Sequence, residues 1–408
     1  MNTKIRLTLM NFLQYAVWGA WLISLGAYLG NTLKFDGLQI GSFFATMGIA
    51  SLFMPAVMGI IADRWIPAQR LLGLCHLFAA GFITLAATRT DYNSLYTLVL
   101  LSVMFYMPTI ALSNSVAYNA LEKAGLDTVT HFPPIRVWGT VGFICAMWVV
   151  DLGKMGLSAT QLYFSATLGL ILGLYSFTLP NCPINRSGGG KSIVDLLGLR
   201  AFALFKQRKM AIFFIFSMLL GMSLQITNAF ADGYIKSFGD TGIHGAKYLG
   251  TFGVEHSTIL ISLSQISETL CILLIPFFLK RFGIKRVMLI AMFAWVLRFA
   301  LLGAGNPGPG VWMFILSMIV YGVAFDFFNI SGSLFVEKET SAAIRSSAQG
   351  VFMIMTNGLG ALIGSYLAGW VVNHYGWPLS WYLFAEFSLV VAIVFAVIFK
   401  YKHDPNRI

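Results

Sequence analysis

Charge is what this sequence has least of. Asp, Glu, Lys and Arg make up 11% of its 408 residues, against about 25% in ordinary soluble domains. So few charges cannot cover a water-exposed surface, which excludes a soluble globular protein. Cysteine is also sparse: Cys75, Cys145, Cys182 and Cys271 lie far apart with no CxxC pair. Neither a zinc site nor a disulfide framework is indicated, and each is expected to pack as a small apolar side chain. The six histidines, His76, His131, His244, His256, His374 and His403, are scattered without metal-ligand spacing. No loop gathers an acid/base cluster either, so no metal, no cofactor and no enzyme activity are expected. A cleavable signal peptide is not expected, because the first apolar stretch is too long for one and lacks a small-residue cleavage site.

What is abundant is apolar length. Apolar residues reach 58% and the mean hydropathy is +0.77. A helix that crosses a bilayer needs about 20 mostly apolar residues. That ruler marks twelve spans, at 7–30, 39–62, 71–88, 95–118, 136–153, 160–180, 210–234, 257–279, 287–304, 312–334, 347–372 and 379–399. The longest polar interruption runs from Asn181 to Lys209 and holds Ser187-Gly188-Gly189-Gly190. It divides an N-terminal six-helix bundle (1–180) from a C-terminal one (210–408), with 181–209 as a central loop. The expected fold is an all-α membrane protein of twelve transmembrane helices in two six-helix bundles.

The net charge of +11 takes its meaning from where the basic residues lie. Of the 27 Lys and Arg, 20 fall on the side that holds both termini and the central loop. The other side has Lys34, Arg89, Lys154, Lys236 and Lys247, while Arg136 and Arg298 lie within or at the edge of spans. Cytoplasmic loops carry the Lys/Arg excess, so both termini are predicted to be cytoplasmic. The basic balance then reflects topology and contact with anionic membrane lipid, not nucleic-acid binding. Arg186–Ser192 imitates a phosphate loop, but Asn185 stands where glycine is required and no strand precedes it. Downstream, Ile193, Leu196, Leu197, Leu204 and Phe205 fall near one helical face, which predicts an interfacial helix on the inner leaflet.

Charges in hydrocarbon cost roughly 2.5–3.5 kcal/mol each at a helix centre, so each needs a partner or a wet cavity. Those inside spans are Arg136, Glu268, Arg298, Asp326 and Glu386, with Asp151 and Asp232 near span ends. Arg136, Thr140 and Phe143 recur at i, i+4 and i+7, on one helix face; the alternative is that Arg136 snorkels to the cytoplasmic interface. Gln225 and Asn228 are three apart and face the same way, either into a site or into helix–helix hydrogen bonds. Ser262, Gln265 and Glu268 form a stripe with Glu268 near mid-bilayer, where it is either a titrating group or a permanently protonated structural acid. Tyr321, Phe325 and Phe328 make an aromatic face beside Asp326, which either titrates or pairs with Arg298. Amides to read a heterocycle edge, rings to stack on its face and a carboxylate for hydroxyls suit a nucleoside.

Two resemblances add to this reading. Gly59-Ile60-Ile61-Ala62-Asp63-Arg64-Trp65-Ile66-Pro67-Ala68-Gln69-Arg70 resembles the cytoplasmic Gly-x-x-x-Asp-Arg loop of the major facilitator superfamily, with Ile66 where a second glycine is usual. Lys280–Arg286 looks like its echo in the second half. Gly59, Asp63 and Arg64 are thereby candidate gate residues; the bland alternative is two charges marking a cytoplasmic turn. More specifically, Phe12-Leu13-Gln14-Tyr15 with Trp18-Gly19-Ala20-Trp21, Phe132-Pro133-Pro134-Ile135-Arg136, Leu224-Gln225-Ile226-Thr227-Asn228, Ser264–Thr269, Ala324–Ser333 and the Tyr401–Pro405 tail closely resemble the bacterial nucleoside/proton symporters of that superfamily.

The second resemblance implies proton-driven uptake of nucleosides such as uridine across the inner membrane, by alternating access about a midplane site. It implies ligand contact by Arg136, Thr140, Phe143, Gln225, Asn228, Gln265, Glu268, Tyr321 and Phe325, and proton coupling at Asp326 together with Glu268. The short loop after span eleven and the Lys236–His256 loop depart from the family pattern. A drug/proton exporter of the same fold and a nucleoside-sensing receptor remain the alternatives.

Overall fold

The computed structural model describes residues 2–184, 199–244, 246–341 and 344–401, and among them every regular element is helical. The Gly188–Gly190 loop and the Lys402–Pro405 tail lie outside the described residues, as does 193–198 of the expected interfacial helix. In hydrocarbon a helix satisfies its own backbone and is apolar all round. Large apolar side chains are accordingly left on the outside, among them Leu273 (74% exposed) and Val397 (69%).

The long elements are α1 (Thr3–Gly19), α2 (Gly37–Arg64), α3 (Ala68–Ala86), α4 (Tyr92–Lys123), α5 (Thr128–Leu152), α6 (Thr160–Ser176) and α7 (Arg208–Ser237). A continuous run, Ser257–Ala304, follows. At 1.5 Å per residue it would be about 72 Å long if straight, more than twice the bilayer core of about 30 Å. It turns at Gly283, whose φ of 76° and ψ of 166° need a residue without Cβ. The turn separates α8 (257–282) from α9 (284–304). Next come α10 (Val311–Glu339), α11 (Arg345–Met353, the π-helical Ile354–Gly360 and Ala361–Tyr375) and α12 (Leu379–Ile398). Nine helices among the described residues are long and apolar enough to cross a membrane, with the 48-residue run counted as one. The two remaining, α1 and α6, have 17 residues each, the short end of the spanning range.

Four details differ from the sequence expectation. The first span is not one continuous helix: α1 stops at Gly19, and Leu25–Ala27 and a π turn, Tyr28–Thr32, follow. The irregular stretch is tied to α6 where the Ser24 hydroxyl donates to Gln161 Oε1 at 2.7 Å. Helix α5 begins eight residues before its apolar run, because Asp127 caps it by accepting the Thr130 N–H at 2.8 Å. The described part of the expected interfacial helix, Leu199–Lys206, is a 3-10 helix. Its Phe205 packs 5.2 Å from Phe214 of α7 instead of lying free along a helical stripe. The Lys280–Arg286 loop reduces to the turn at Gly283, and Lys285 donates to the Ala396 carbonyl at 2.9 Å, satisfying the last turn of α12.

The described chain forms two compact units. One comprises the described residues of Met1–Phe35 and Thr46–Leu197; the other comprises those of Asp36–Ala45, the opening of α2, and Gly198–Ile408. In the first unit α1 and α5 cross in near backbone contact: a Cβ on Gly142 would stand 2.1 Å from the Phe12 carbonyl oxygen. Small residues permit such approach where no hydrophobic effect drives helices together. Gly142→Ala should therefore destabilise the detergent-purified protein by about 1–3 kcal/mol, as overpacking does. Gly81→Ala on α3, with nothing within 4 Å of the new methyl, should leave the thermal midpoint unchanged or raised. Equal midpoints for the two would contradict the close crossing.

Candidate functional site

The first unit carries Arg136, Thr140 and Phe143 on α5. Arg136 does not run out along the helix: its guanidinium lies over the Tyr15 ring of α1, 3.9 Å from the centroid. Gly139 makes this possible, since a Cβ there would stand 2.6 Å from Tyr15 Cδ2 and 2.9 Å from Arg136 Nη1. One turn on, Thr140 is half-buried. Phe143 is buried and meets the Trp18 ring edge-on at 6.3 Å. The three residues share a face, and α1 supplies an aromatic platform under the first and the last.

The second unit carries the remaining candidates. On α7, Gln225 is buried and its Oε1 has no hydrogen-bond partner, while Asn228 is half-buried. On α8, Gln265 Oε1 is likewise buried and unpartnered, and Glu268 is half-buried. On α10, Tyr321 and Phe325 stack in parallel at 5.7 Å with 6° between planes. Asp326 is 5% exposed and its Oδ2 has no partner. Helices α8 and α10 touch at Gly322, whose missing Cβ would stand 2.6 Å from the Ser267 backbone, and Ser267 Oγ donates to the Ile319 carbonyl. That crossing lies one residue from Glu268 and about one turn from Asp326, and it brings each carboxyl within electrostatic reach of the other. Tyr321 is within reach of both. A buried acceptor without a donor costs about 1–3 kcal/mol. Three of them in one half of a folded protein point to ligand or water.

Arg298 of α9 is 2% exposed and has a defined set of partners. Its Nη1 donates to the Ser317 carbonyl at 2.8 Å and to Ser264 Oγ at 3.3 Å, and its guanidinium lies 4.6 Å from the Tyr321 centroid. The ion pair with Asp326, one of the two readings of the sequence, is not among the pairs observed; a carbonyl, a hydroxyl and an aromatic face hold the cation instead. Arg298 also fixes one of the candidate stacking rings, a role nothing in its sequence neighbourhood signals. Trp295 adds an edge contact to Tyr321 at 6.0 Å. The supporting residues Trp295 and Ser317 carry no signal of their own in the sequence, and Tyr15, Trp18 and Ser264 stand there only as members of the family-like stretches, with no role assigned.

Of the gate candidates, Gly59 and Arg64 lie in the last turns of α2, and the space beside Gly59 is open. The Asp63 side chain lies outside what is described. Among the described residues no three His, Cys, Asp or Glu side chains gather as a metal would require. Glu386, also within a span, is exposed on α12; nothing in the structure explains it.

Arg298→Ala should cost about 3 kcal/mol or more of stability, because it leaves a large cavity and strands the polar groups around it. Arg298→Met, which refills the space, should cost less. The order of the two thermal midpoints checks this; a reversed order would remove the packing account.

The family described as nucleoside H+ symporter matches residues 1–404. Nucleoside permease NupG of Escherichia coli (strain K12) is 50% identical over 410 residues, covering 99% of this chain and 97% of that protein. The xanthosine permease of the same strain is 49% identical over 415 residues, covering 100% and 98%. A crystal structure of nucleoside transporter NupG, in an aspartate-to-alanine variant, superposes with a TM-score of 0.94 at 50% identity, covering 98% of this chain and 100% of that one.

Proposed function

The chain belongs to the nucleoside/proton symporter family, and from that premise we propose how its residues perform proton-driven nucleoside import across the bacterial inner membrane. The observation that carries the reading is the α8–α10 crossing, where two carboxyls, Glu268 and Asp326, lie within reach of each other beside the stacked rings of Tyr321 and Phe325. A proton shared by that pair removes a charge that would resist burial. The protonated state then takes a nucleoside such as uridine. Tyr321, Phe325 and Phe143 stack on the base, the unpartnered amides Gln225 and Gln265 with Asn228 read its edge, and Arg136, Thr140 and Glu268 serve its oxygens and hydroxyls. Alternating access delivers nucleoside and then proton to the cytoplasm, and Gly59, Asp63, Arg64 and the turn at 280–286 bias closure on that side.

In this reading twelve crossings form a six-helix bundle over 1–180 and another over 210–408. The segment 181–209 and both termini are cytoplasmic, and the basic side lies against anionic lipid.

In proteoliposomes given labelled uridine on the outside, Glu268→Gln and Asp326→Asn should each lose accumulation driven by a pH gradient. Unimpaired accumulation in both would end the proton assignment. Arg136→Ala and Phe143→Ala should weaken uridine binding about tenfold, or about 1.4 kcal/mol, in calorimetry on folded protein. Uridine export, or binding without counterflow, would favour the exporter or the sensor instead.

A further inference from the structure

Deep in the first unit, α1, α3 and α4 are joined by side chains that the transport cycle above leaves unassigned. Gln14, His76 and Thr109 are all fully buried. Thr109 Oγ1 donates to the Tyr106 carbonyl at 2.5 Å, which commits its one proton. Toward Gln14, 2.7 Å away, the hydroxyl therefore accepts, and Gln14 must present Nε2 to it. The Gln14 amide is thereby oriented with Oε1 toward His76 Nε2, at 2.8 Å. A carbonyl oxygen only accepts, so the proton of His76 sits on Nε2, while Nδ1 is buried without a partner. The hydrogen-bond chain fixes one imidazole tautomer.

The same few residues of α1 stand under the α5 face. The Tyr106 hydroxyl donates to the Gln14 backbone carbonyl at 2.7 Å. Its ring lies 5.9 Å from His76 and 5.8 Å from Trp18, and Trp18 meets Phe143. Tyr15, next to Gln14, carries the Arg136 guanidinium. Gln14 is thus an α1 side chain pinned to both α3 and α4, and its neighbours are the platforms for Arg136 and Phe143.

We propose that His76 is a positioning residue for nucleoside affinity: its Nε2–H holds Gln14, and Gln14 holds Tyr15 and Trp18 where Arg136 and Phe143 need them. This rests on the reading that Arg136 and Phe143 contact the nucleoside. A buried histidine serving only to fill space would be replaceable by leucine. One serving as a donor is replaceable by glutamine, whose terminal amide places an N–H near the position of imidazole Nε2.

The test measures uridine uptake kinetics in proteoliposomes for wild type, His76→Leu and His76→Gln, with thermal midpoints of each. His76→Leu should raise KM about tenfold with the maximal rate within about twofold. His76→Gln should restore KM to within about threefold of wild type. Unchanged KM in His76→Leu, or a His76→Gln variant as weak as His76→Leu, overturns the proposal. Should His76→Leu fail to fold, Thr109→Val keeps the shape, removes the acceptor for Gln14, and carries the same expected KM rise. Nitrogen NMR of 15N-histidine-labelled wild type should show the His76 proton on Nε2; a proton on Nδ1 overturns the chain. Failure of wild type to transport uridine would count against the parent reading alone, since the NMR arm reports the hydrogen-bond chain without any substrate.

Discussion

Hydrocarbon offers no water to a polar group, so each hydrogen-bonding atom inside a span must be met by protein or by something the protein binds. That constraint organises both units. Many donors and acceptors are matched within the protein: Ser165 to the Val17 carbonyl, Ser102 to the Ala79 carbonyl, and Asp232 to Ser257, Thr258 and Lys236. Other buried polar atoms are left over. Gln225 Oε1, Gln265 Oε1 and Asp326 Oδ2 are among them, and in the proposed cycle a nucleoside or a proton completes all three.

The close helix crossings give these groups their places. Gly142 against Phe12, and Gly322 against Ser267, bring backbones within reach only because the side chain is missing. With van der Waals packing as the main attraction between helices in lipid, such contacts set the register of one helix on the next. The α8–α10 register determines that Glu268 and Asp326 sense each other, and the α1–α5 register determines that Tyr15 and Trp18 stand under Arg136 and Phe143. A helix moved by one residue would turn each side chain by about 100°.

Much of this was legible in the sequence, and the limits of legibility have a physical origin. Apolar length marks spans because the bilayer imposes a length, and midspan charges mark function because they are costly there. The same ruler misplaced the start of α5, since it counts apolar residues while Asp127 starts the helix by capping. It also ran through the break after Gly19, which Ser24 and Gln161 stabilise from 137 residues apart in sequence. Glu268 and Asp326 could be named from position alone. Arg298 could not be assigned, because its partners are a backbone carbonyl, a hydroxyl and a ring face, none of which announces a cation. His76 and Thr109 are equally silent, and Gln14 stands out only as part of a family-like stretch: His76 in a sequence is one of six scattered histidines, and only the fold puts it 2.8 Å from an oriented amide.

Arg136 and Arg298 use the same kind of contact to different ends. Both guanidiniums lie over a tyrosine ring, a mode open to arginine because its cation is planar and weakly hydrated. Stacking engages the face and leaves the in-plane N–H groups to point elsewhere. Arg298 commits Nη1 to Ser317 and Ser264, so it is built into the packing that fixes Tyr321. Arg136 is only half-buried, and its guanidinium lies over the Tyr15 ring with no ion pair observed to a carboxylate among the described residues. A cation held that way can present donors to a neutral, oxygen-rich molecule without first being released from an ion pair. In the proposed cycle the first unit brings Arg136 and Phe143 to the nucleoside on a fixed aromatic platform, and the second unit, which adds its own rings and amides, also holds the carboxyls that change charge. A proton arriving at Glu268 or Asp326 can then alter affinity in the second unit while the platform of Tyr15 and Trp18 stays as it is.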